Sequence, residues 1–514
     1  MPFDRGGFVR AEAETCVQAT AGEPARPMRV LFVASEYFPL AKTGGLGDVT
    51  GALPRALRGL GVDARVIIPA YRSALAKVSG LGRVETIEIL PGRMIRIVEA
   101  SVTFSRVPVY LVVCPELFDR PGGPYVDESS QDWADNAERF AVLAHAAVHL
   151  AMGRGGFPWQ PDVVHAHDWQ AGLVPLLLRF APGPKPASIF TIHNAAFPGR
   201  FGFDQVRGLA LPEEALGTDG AEFYGDVSFL KAGIYYADKL TTVSPTYARE
   251  LCTPEFGGGF DGLLRSRQTD LVGILNGIDD ELWNPATDKH LAHNYADPDC
   301  GGKQACKSAL QRELGLPESP RNPLAIFASR LTEQKMADVV LNRISGALES
   351  APDLQFALVG QGDRKLEQGF REIAQAHPNR IAVRLEYSEP LAHRLHAGGD
   401  LLLHGSRYEP CGLVQMYSMR YGTVPLVRNT GGLADSVNDA DGASSTPTGF
   451  VFDQASGDAM MAAMMRGVDV YRRSPDLWRG LQRNGMRRDN GWQKSASRHH
   501  ALYLQQAEAA FKVP

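Results

Sequence analysis

Short apolar, β-branched runs alternate with helix-length amphipathic segments along most of this 514-residue chain. Such alternation is typical of β–α–β units, in which helices cover both faces of a parallel sheet. The pattern occurs in two series, and a glycine-rich stretch at 256–279 separates them. The sequence therefore predicts an α/β protein with two doubly wound parallel sheets, which would face each other across a deep cleft. The predicted strands are 29–34, 64–68, 108–113, 162–165, 187–192 and 239–243, then 324–328, 355–359, 381–385, 400–403, 424–427 and 449–452.

A single hydrophobic core does not extend over 514 residues, so at least two domains are expected. We predict an N-terminal domain over 28–270 and a C-terminal domain over 271–490. Residues 491–514 are expected to form a helix that packs back on the N-terminal domain. Residues 1–27 contain acidic side chains and lack an apolar run, which excludes a signal peptide, and we expect a mobile extension there.

Composition excludes several classes of protein. The net charge of −5 and the pI of about 6.2 give no sign of a basic nucleic-acid surface. The longest nearly apolar stretch, 140–152, is too short to span a bilayer. The six cysteines form no C-x-x-C pair, which indicates reduced thiols rather than a zinc or redox motif. These features predict a cytoplasmic enzyme that contacts neither nucleic acid nor membrane.

A glycine-rich segment, KTGGLGD at 42–48, follows the first apolar run closely. A buried strand that leads into such a loop and then a helix presents backbone N–H groups, and these favour phosphate. Lys42 adds a cation. The spacing matches neither the dinucleotide-binding fingerprint nor the P-loop, so neither oxidoreductase nor nucleotide triphosphatase chemistry is indicated. Alone, this loop is equally compatible with a tight turn and a ligand site.

Polar segments also follow other predicted strands of the first series. HAHDW at 165–169 comes directly after one strand and TIHN at 191–194 ends the next. The H-x-H pair resembles a metal pair, but no third ligand lies at a suitable spacing, so hydrogen bonding to a polar substrate is favoured. The segment 132–136 opens a helix, where Asp and Asn are ordinary capping residues.

The second series has its own charged and glycine-rich strand ends. Arg330 and Lys335 follow the strand at 324–328, where a surface charge pair and an anion site are the alternatives. Glu409 lies between a strand and a helix and is constrained by Pro410 and Gly412. A further glycine turn at 428–433 also suits a phosphate.

Together these segments resemble the bacterial glycogen synthase and plant starch synthase family of retaining glucosyltransferases. The resemblance covers residues 28 to about 495 in family order. It implies a GT-B fold of two Rossmann-like domains, and transfer of glucose from ADP-glucose to an α-1,4-glucan. The matching stretches are KTGGLGDVTGALP, DNAERF, HAHDWQAGL, TIHNAAFPG, TTVSPTYARE, ILNGID, SRLTEQK and SRYEPCGLVQMYSMRYGTVPLVRNTGGLADSV.

The resemblance also implies residue roles. His167 would contact the glucose hydroxymethyl group, Glu409 would bind the glucose from the opposite side, and Asp135 would lie near the acceptor. Arg330 and Lys335 would bind the diphosphate. The implied catalytic set is Glu409, His167, Arg330, Lys335 and Asp135. The implied donor-binding set is Lys42, Gly44, Gly45, Asp48, Asn276, Arg330, Lys335, Gly412, Leu413, Thr430, Gly431 and Gly432.

No metal is expected, because Arg330 and Lys335 can replace the metal that other transferases use. No pyridoxal phosphate (PLP) is expected either, since a PLP-dependent glucan phosphorylase of the same architecture is normally much longer and needs a Schiff-base lysine. The family is thought to use front-face attack, with Glu409 as an orienting group; a covalent double displacement is the alternative. Other GT-B enzymes with a UDP-glucose donor or a small acceptor, and an inactive glucan-binding protein, are the alternative functions. ADP-glucose and glucan are the expected partners, and the oligomeric state is left open.

Three positions depart from the pattern that the resemblance implies. Tyr417 stands where the wider retaining group often has a second glutamate, as is expected in this family. The run HGSRY at 404–408 replaces a more usual Pro-Ser-Arg-Phe, and Met336 replaces a common glycine. The last two changes are expected to affect the shape of the diphosphate loop.

Overall fold

Two large sheets, the second parallel and the first parallel except for β3 and β4, form the framework of the chain in a computed structural model, which describes residues 26–103, 105–297, 301–386 and 388–512. Most of the predicted N-terminal extension, residues 1–25, lies outside the described residues. The first sheet has nine strands in the order β12-β11-β7-β6-β1-β2-β5-β4-β3. Its strands are β1 (Arg29–Val33), β2 (Asp63–Pro69), β3 (Val78–Leu90), β4 (Arg93–Val102), β5 (Ser105–Val113), β6 (Val163–His167), β7 (Ala187–Ile192), β11 (Lys239–Thr242) and β12 (Leu271–Gly273).

The second sheet has six strands, all parallel, in the order β15-β14-β13-β16-β17-β18. Its strands are β13 (Leu324–Ala328), β14 (Gln355–Val359), β15 (Ile381–Arg384), β16 (Leu401–His404), β17 (Val424–Arg428) and β18 (Phe450–Phe452). A small third sheet contains β8 (Arg200–Phe201), β9 (Glu222–Phe223) and β10 (Asp226–Ser228). The central strands of the large sheets are buried on both faces, which explains their continuous apolar runs.

Helices cover the two large sheets, and no helix among the described residues is long and apolar enough to cross a membrane. Those of the first half are α1 (Gly45–Gly59), α2 (Arg72–Leu75), α3 (Pro115–Phe118), α4 (Asn136–Ala151), α5 (Leu173–Phe180), α6 (Phe203–Val206), α7 (Phe229–Tyr236), α8 (Pro245–Glu250) and α9 (Asp261–Ser266). Those of the second half are α10 (Gly301–Leu314), α11 (Ala337–Ser350), α12 (Arg364–Ala376), α13 (Glu389–Gly398), α14 (Val414–Arg420), α15 (Gly431–Ser436), α16 (Gly457–Arg473), α17 (Pro475–Arg487) and α18 (Trp492–Lys512). Two 3-10 turns, Trp169–Ala171 and Glu213–Leu216, complete the secondary structure.

The order of strands determines where a ligand can bind. In the first sheet the chain goes from β1 to β2 on one side and later returns to β6 on the other, so strand order reverses at β1. In the second sheet the order reverses in the same way at β13, between β14 and β16. Ligands of open α/β sheets bind beyond the carboxyl ends of the strands at such points. The glycine loop follows β1 and the Arg330–Lys335 loop follows β13.

Two local predictions differ from the structure. Residues 78–102 form a long antiparallel hairpin, β3–β4, which the sequence analysis missed because most of β3 is exposed and carries no buried apolar run. The helix expected over 132–152 begins only at Asn136. Residues before it bond to an earlier segment instead, since the Trp133 N–H donates to the Tyr125 carbonyl.

The chain passes between its two halves twice, and the two connecting segments lie next to each other. It leaves the first sheet after β12, a strand that pairs with β11 and lies just past the predicted boundary at 270. Ile278 pairs with Gly491 where the chain returns, and the Ile278 N–H donates to the Asn490 carbonyl. The returning helix α18 then packs on the first half, where Tyr503 is fully buried.

Tyr503→Phe tests this packing of α18. The Tyr503 hydroxyl lies 2.8 Å from the buried His165 Nδ1, and Phe would leave that nitrogen without a partner. We expect the free energy of unfolding to fall by about 1–3 kcal/mol in urea titrations, the usual cost of an unsatisfied buried polar group. Tyr235→Phe, at a half-exposed tyrosine, is the control. Equal stability of the two variants would contradict the assignment.

Candidate active site

The glycine loop is held by a carboxylate that the sequence analysis did not single out. Glu36 is buried, and its Oε2 accepts hydrogen bonds from the Thr43 N–H at 2.6 Å and the Gly44 N–H at 3.1 Å. Its Oε1 accepts from the Tyr125 hydroxyl at 2.6 Å. Two of the amides expected to be open to a phosphate are therefore already engaged. The N–H groups of the first turn of α1, which begins at Gly45, have no acceptor within the helix.

Lys42 is paired with Asp48 within the same loop. Its Nζ lies 2.7 Å from Asp48 Oδ1, and both side chains are partly exposed. Burial raises the pKa of Asp48 and the charge of Lys42 opposes that rise, while Glu389 and Glu36 add to it. Glu389 begins α13 of the second half, so the loop faces that half directly. A diphosphate would compete with Asp48 for the Lys42 ammonium.

His167 ends β6 with one ring nitrogen bound and the other without a partner. Its Nδ1 lies 3.0 Å from His193 Nε2, while its Nε2 is buried and makes no hydrogen bond in the described residues. Burial and the neighbouring His165 lower the pKa of His167 well below its usual range, so the ring is neutral. A neutral imidazole with one unsatisfied nitrogen suits a sugar hydroxyl.

The two histidines of the H-x-H segment have different surroundings. His165 Nδ1 contacts the Tyr503 hydroxyl at 2.8 Å and its Nε2 contacts Thr191 Oγ1 at 2.6 Å, so both ring nitrogens contact protein groups. Among the described residues, no group of three or more His, Cys, Asp and Glu side chains is placed to bind a metal ion. His165 is therefore engaged within the protein, while His167 Nε2 has no partner among the described residues, and the expected absence of a metal stays a prediction.

Asp168 follows His167 in a conformation that L-residues rarely adopt, with φ of 58°. Its Oδ1 accepts hydrogen bonds from the backbone N–H groups of His193 at 3.1 Å and Asn194 at 3.4 Å. The carboxyl therefore ties the loop after β6 to the loop after β7. Burial raises its pKa to about 7, against the lowering effect of these two hydrogen bonds.

Glu409 lies on the second half, where two donors bond one of its oxygens and a histidine lies near the same atom. Lys335 Nζ pairs with Glu409 Oε2, Ser406 Oγ donates to the same atom at 3.0 Å, and His404 Nε2 lies 3.4 Å from it. Oε1 has no hydrogen-bond partner among the described residues. Burial alone would raise the pKa of Glu409, but Lys335 and His404 hold it well below its usual range. The carboxylate is thus ionised, with one oxygen available.

The loop that carries Lys335 and Arg330 has two further features. Arg330 is exposed and forms no ion pair within the described part of the chain. Met336, at the position of the common glycine, has φ of 54° and ψ of 30° and is fully buried. The backbone therefore keeps the left-handed conformation that glycine favours, and burial of the Met side chain offsets a strain of about 1–2 kcal/mol. Whether Met336 changes the shape of the diphosphate loop stays a prediction.

The glycine turns of the second half contact protein groups. The Gly431 N–H donates to Glu250 Oε1 at 3.0 Å, and Thr430 Oγ1 donates to the same oxygen at 2.9 Å. The Gly432 N–H donates to the carbonyls of Glu409 and Pro410. In this conformation these amides support the Glu409 segment, and their expected contact with a phosphate stays a prediction.

The remaining donor-side residues lie between the two halves. A β-carbon on Gly45 would lie 3.9 Å from Leu413 Cδ1, so the two loops face each other closely. Gly412, with φ of 69°, permits the turn that places Leu413 there. Asn276 is buried against Cys411, whose pKa burial raises to about 12. The structure thus brings the loop at 42–48 next to the segment that follows Glu409.

Asp135 is not the helix cap that its position suggests. It precedes α4 but makes no capping hydrogen bond, and both of its oxygens instead pair with Arg120 at 2.9 Å. Arg120 stacks over the Trp133 ring at 4.0 Å. Asp135 is therefore held in a fixed position, about one-third exposed, on the first half.

Asp168→Asn tests whether the buried Asp168 carboxyl makes the stability of the protein depend on pH. Because the folded-state pKa is about 7 and the unfolded value is about 3.8, folded protein binds a proton that unfolded chain releases, and this residue's contribution to stability falls as pH rises from about 4 to 7. Asparagine keeps the acceptor oxygen and cannot ionise. We expect the variant to gain up to ~4 kcal/mol relative to wild type between pH 4 and 8 in urea titrations. Asp132→Asn, at an exposed carboxylate, is the control, and a pH-independent difference for Asp168→Asn would contradict the assignment.

Comparison with known proteins identifies the family. Residues 29–266 match the starch synthase catalytic domain and residues 312–469 match the glycosyl transferases group 1 family. Glycogen synthases of Burkholderia thailandensis and Paramagnetospirillum magneticum are 54% and 48% identical, over 92% and 93% of this chain and 90% and 97% of those proteins. The catalytic domain of starch synthase IV from Arabidopsis thaliana, solved with ADP and acarbose, is similar with a TM-score of 0.83 at 31% identity, over 94% of this chain and 100% of that one. The two-sheet framework is the GT-B fold, and the chain belongs to the glycogen and starch synthase family of glycosyltransferases.

Proposed function

We propose that this chain transfers glucose from ADP-glucose to the non-reducing 4-hydroxyl end of an α-1,4-glucan, with retention of configuration. The observation that carries the proposal is the exposed Arg330, which has no carboxylate partner in the described residues and follows the strand where the second sheet reverses its order. A guanidinium in that position suits a diphosphate. The starch synthase IV relative was solved with ADP and acarbose, which supports an adenine nucleotide donor and a glucan acceptor.

The chemistry requires stabilisation of the departing diphosphate. Breaking the bond between glucose and phosphate leaves negative charge on ADP and positive charge on the sugar, and fixed cations lower the energy of that state. Arg330 and Lys335 supply these cations from one side, and Lys42 supplies one from the other. We therefore propose that the reaction needs neither a metal ion nor PLP.

Glu409 is better suited to orient the sugar than to attack it. A carboxylate whose Oε2 already accepts from Lys335 and Ser406 has reduced nucleophilicity, because those donors stabilise its ground state. Its remaining oxygen, Oε1, would accept hydrogen bonds from glucose hydroxyls. This arrangement supports front-face attack, in which the leaving phosphate helps to deprotonate the acceptor hydroxyl, over a covalent glucosyl intermediate.

The first half would bind the other side of the substrates. His167 Nε2, buried and without a partner, would bond the glucose hydroxymethyl group. Asp135, fixed by Arg120, would lie near the acceptor. The four cysteines in the described residues, at 114, 252, 306 and 411, are free thiols, which supports the cytoplasm as the compartment.

The direct test uses purified full-length protein with labelled ADP-glucose or UDP-glucose, and with glycogen or maltotriose as acceptor. We expect incorporation from ADP-glucose into glycogen, release of the label as maltose by β-amylase, and unchanged activity in EDTA. Preference for UDP-glucose would indicate a different nucleotide-sugar transferase. Absence of incorporation from either donor, with ADP still bound, would indicate an inactive glucan-binding protein.

Arg330→Gln tests the diphosphate site. Because Arg330 is exposed and unpaired in the described residues, its loss should leave stability unchanged and lower kcat/KM for ADP-glucose by about 10²–10³-fold. Arg321→Gln is a matched control, since Arg321 is also exposed but precedes β13, at the opposite end of the strand. Initial rates and thermal melting are measured for both variants. An Arg330→Gln enzyme with wild-type kinetics would contradict the site.

A further inference from the structure

His404 has a buried imidazole for which the resemblance to the family supplies no role. It ends β16, in register with Val427, and only 1% of the residue is exposed. Its Nε2 has no hydrogen bond of good geometry among the described residues and no access to solvent. An unsatisfied buried nitrogen costs free energy, so a position that carries one calls for an explanation.

The nearest charged groups to that nitrogen belong to the candidate active site. Glu409 Oε2 lies 3.4 Å from His404 Nε2, and Lys335 is the other charged group that acts on the ring. The imidazole is therefore buried with its Nε2 next to the Glu409 carboxylate.

The side-chain contacts of the Glu409 carboxylate fall on one oxygen. Lys335, Ser406 and His404 surround Oε2, while Oε1 has no hydrogen-bond partner among the described residues. Under the proposed function, Lys335 must also bind the diphosphate of the donor. When its ammonium is shared in that way, Ser406 and His404 are the contacts that remain to fix the orientation of Glu409.

We propose that His404 is a positioning residue, whose Nε2–H donates to Glu409 Oε2 and keeps Oε1 directed at the donor glucose. This inference rests on the proposed function. It requires a small rotation of the imidazole to align the N–H, which the 3.4 Å separation permits. The role differs from that of Lys335, because His404 contacts no phosphate and acts through Glu409 alone.

The alternative is that His404 only fills buried space, and two substitutions separate these roles. His404→Leu has similar bulk and no polar atom, so a purely structural position accepts it well. His404→Gln places an amide N–H near the former Nε2, and a purely structural position tolerates it worse than Leu. If His404 positions Glu409, Gln should be the better replacement and Leu the worse one, because only Gln can donate a hydrogen bond to Glu409.

The experiment measures kcat, both KM values and melting temperature for wild type and the two variants. We expect His404→Leu to lower kcat about 10- to 100-fold with the glycogen KM unchanged, and His404→Gln to recover most of that loss. Leu activity within twofold of wild type, or Gln no better than Leu, would overturn the proposal.

A crystal structure of the wild-type protein with ADP gives a readout that does not depend on turnover. A direct hydrogen bond between His404 Nε2 and Glu409 Oε2 supports the inference, also in the case that a variant fails to fold. An imidazole that is turned away from Glu409 overturns it. If wild type transfers no glucose, the proposed function fails, while this distance still decides the role of His404.

Discussion

The buried ion pair between Lys335 and Glu409 is the interaction on which the candidate site depends. Removing either partner would leave a charge in a largely water-excluded place, which typically costs about 3–5 kcal/mol. The pair also joins two loops of the second sheet, the one after β13 and the one after β16. Under the proposed function, a donor diphosphate that engages Lys335 would weaken the contact between Lys335 and Glu409, and other donors would then have to hold the carboxylate. Ser406 and His404 are in place for that purpose.

In the first half, too, carboxylates hold a loop of the candidate site in place. There a buried carboxylate, Glu36, accepts from the backbone of the glycine loop, and Asp48 pairs with Lys42. Acidic side chains thus fix the conformation of a loop that is expected to bind phosphate. Such preorganisation costs binding energy through charge repulsion, but it fixes the backbone of the loop and the position of the lysine. The Lys42 ammonium is therefore already in position and does not have to be ordered during the reaction.

Much of the framework could be predicted because parallel strands buried on both faces leave continuous apolar runs in the sequence. β1, β7 and β13 are examples. The β3–β4 hairpin could not be predicted this way, since its exposed strand has no such run. The loops were located by glycine and charge, but Glu36 was missed because a single acid in a short polar segment has no pattern. The left-handed backbone at Met336 was equally invisible, since methionine gives no local signal for it.

Contacts between the halves limit how this cleft can open. Thr246 bonds Asp435 through both its N–H and its hydroxyl at 2.8 Å, and Ser244 Oγ donates to the Pro410 carbonyl at 2.7 Å. Pro410 directly follows Glu409, so the first half forms a hydrogen bond with the segment that carries the site carboxylate. An opening motion that separates the halves would break these bonds and pull on Glu409 at the same time. A separation of the halves would therefore act on the backbone segment that carries Glu409, through the hydrogen bond of Ser244 to Pro410.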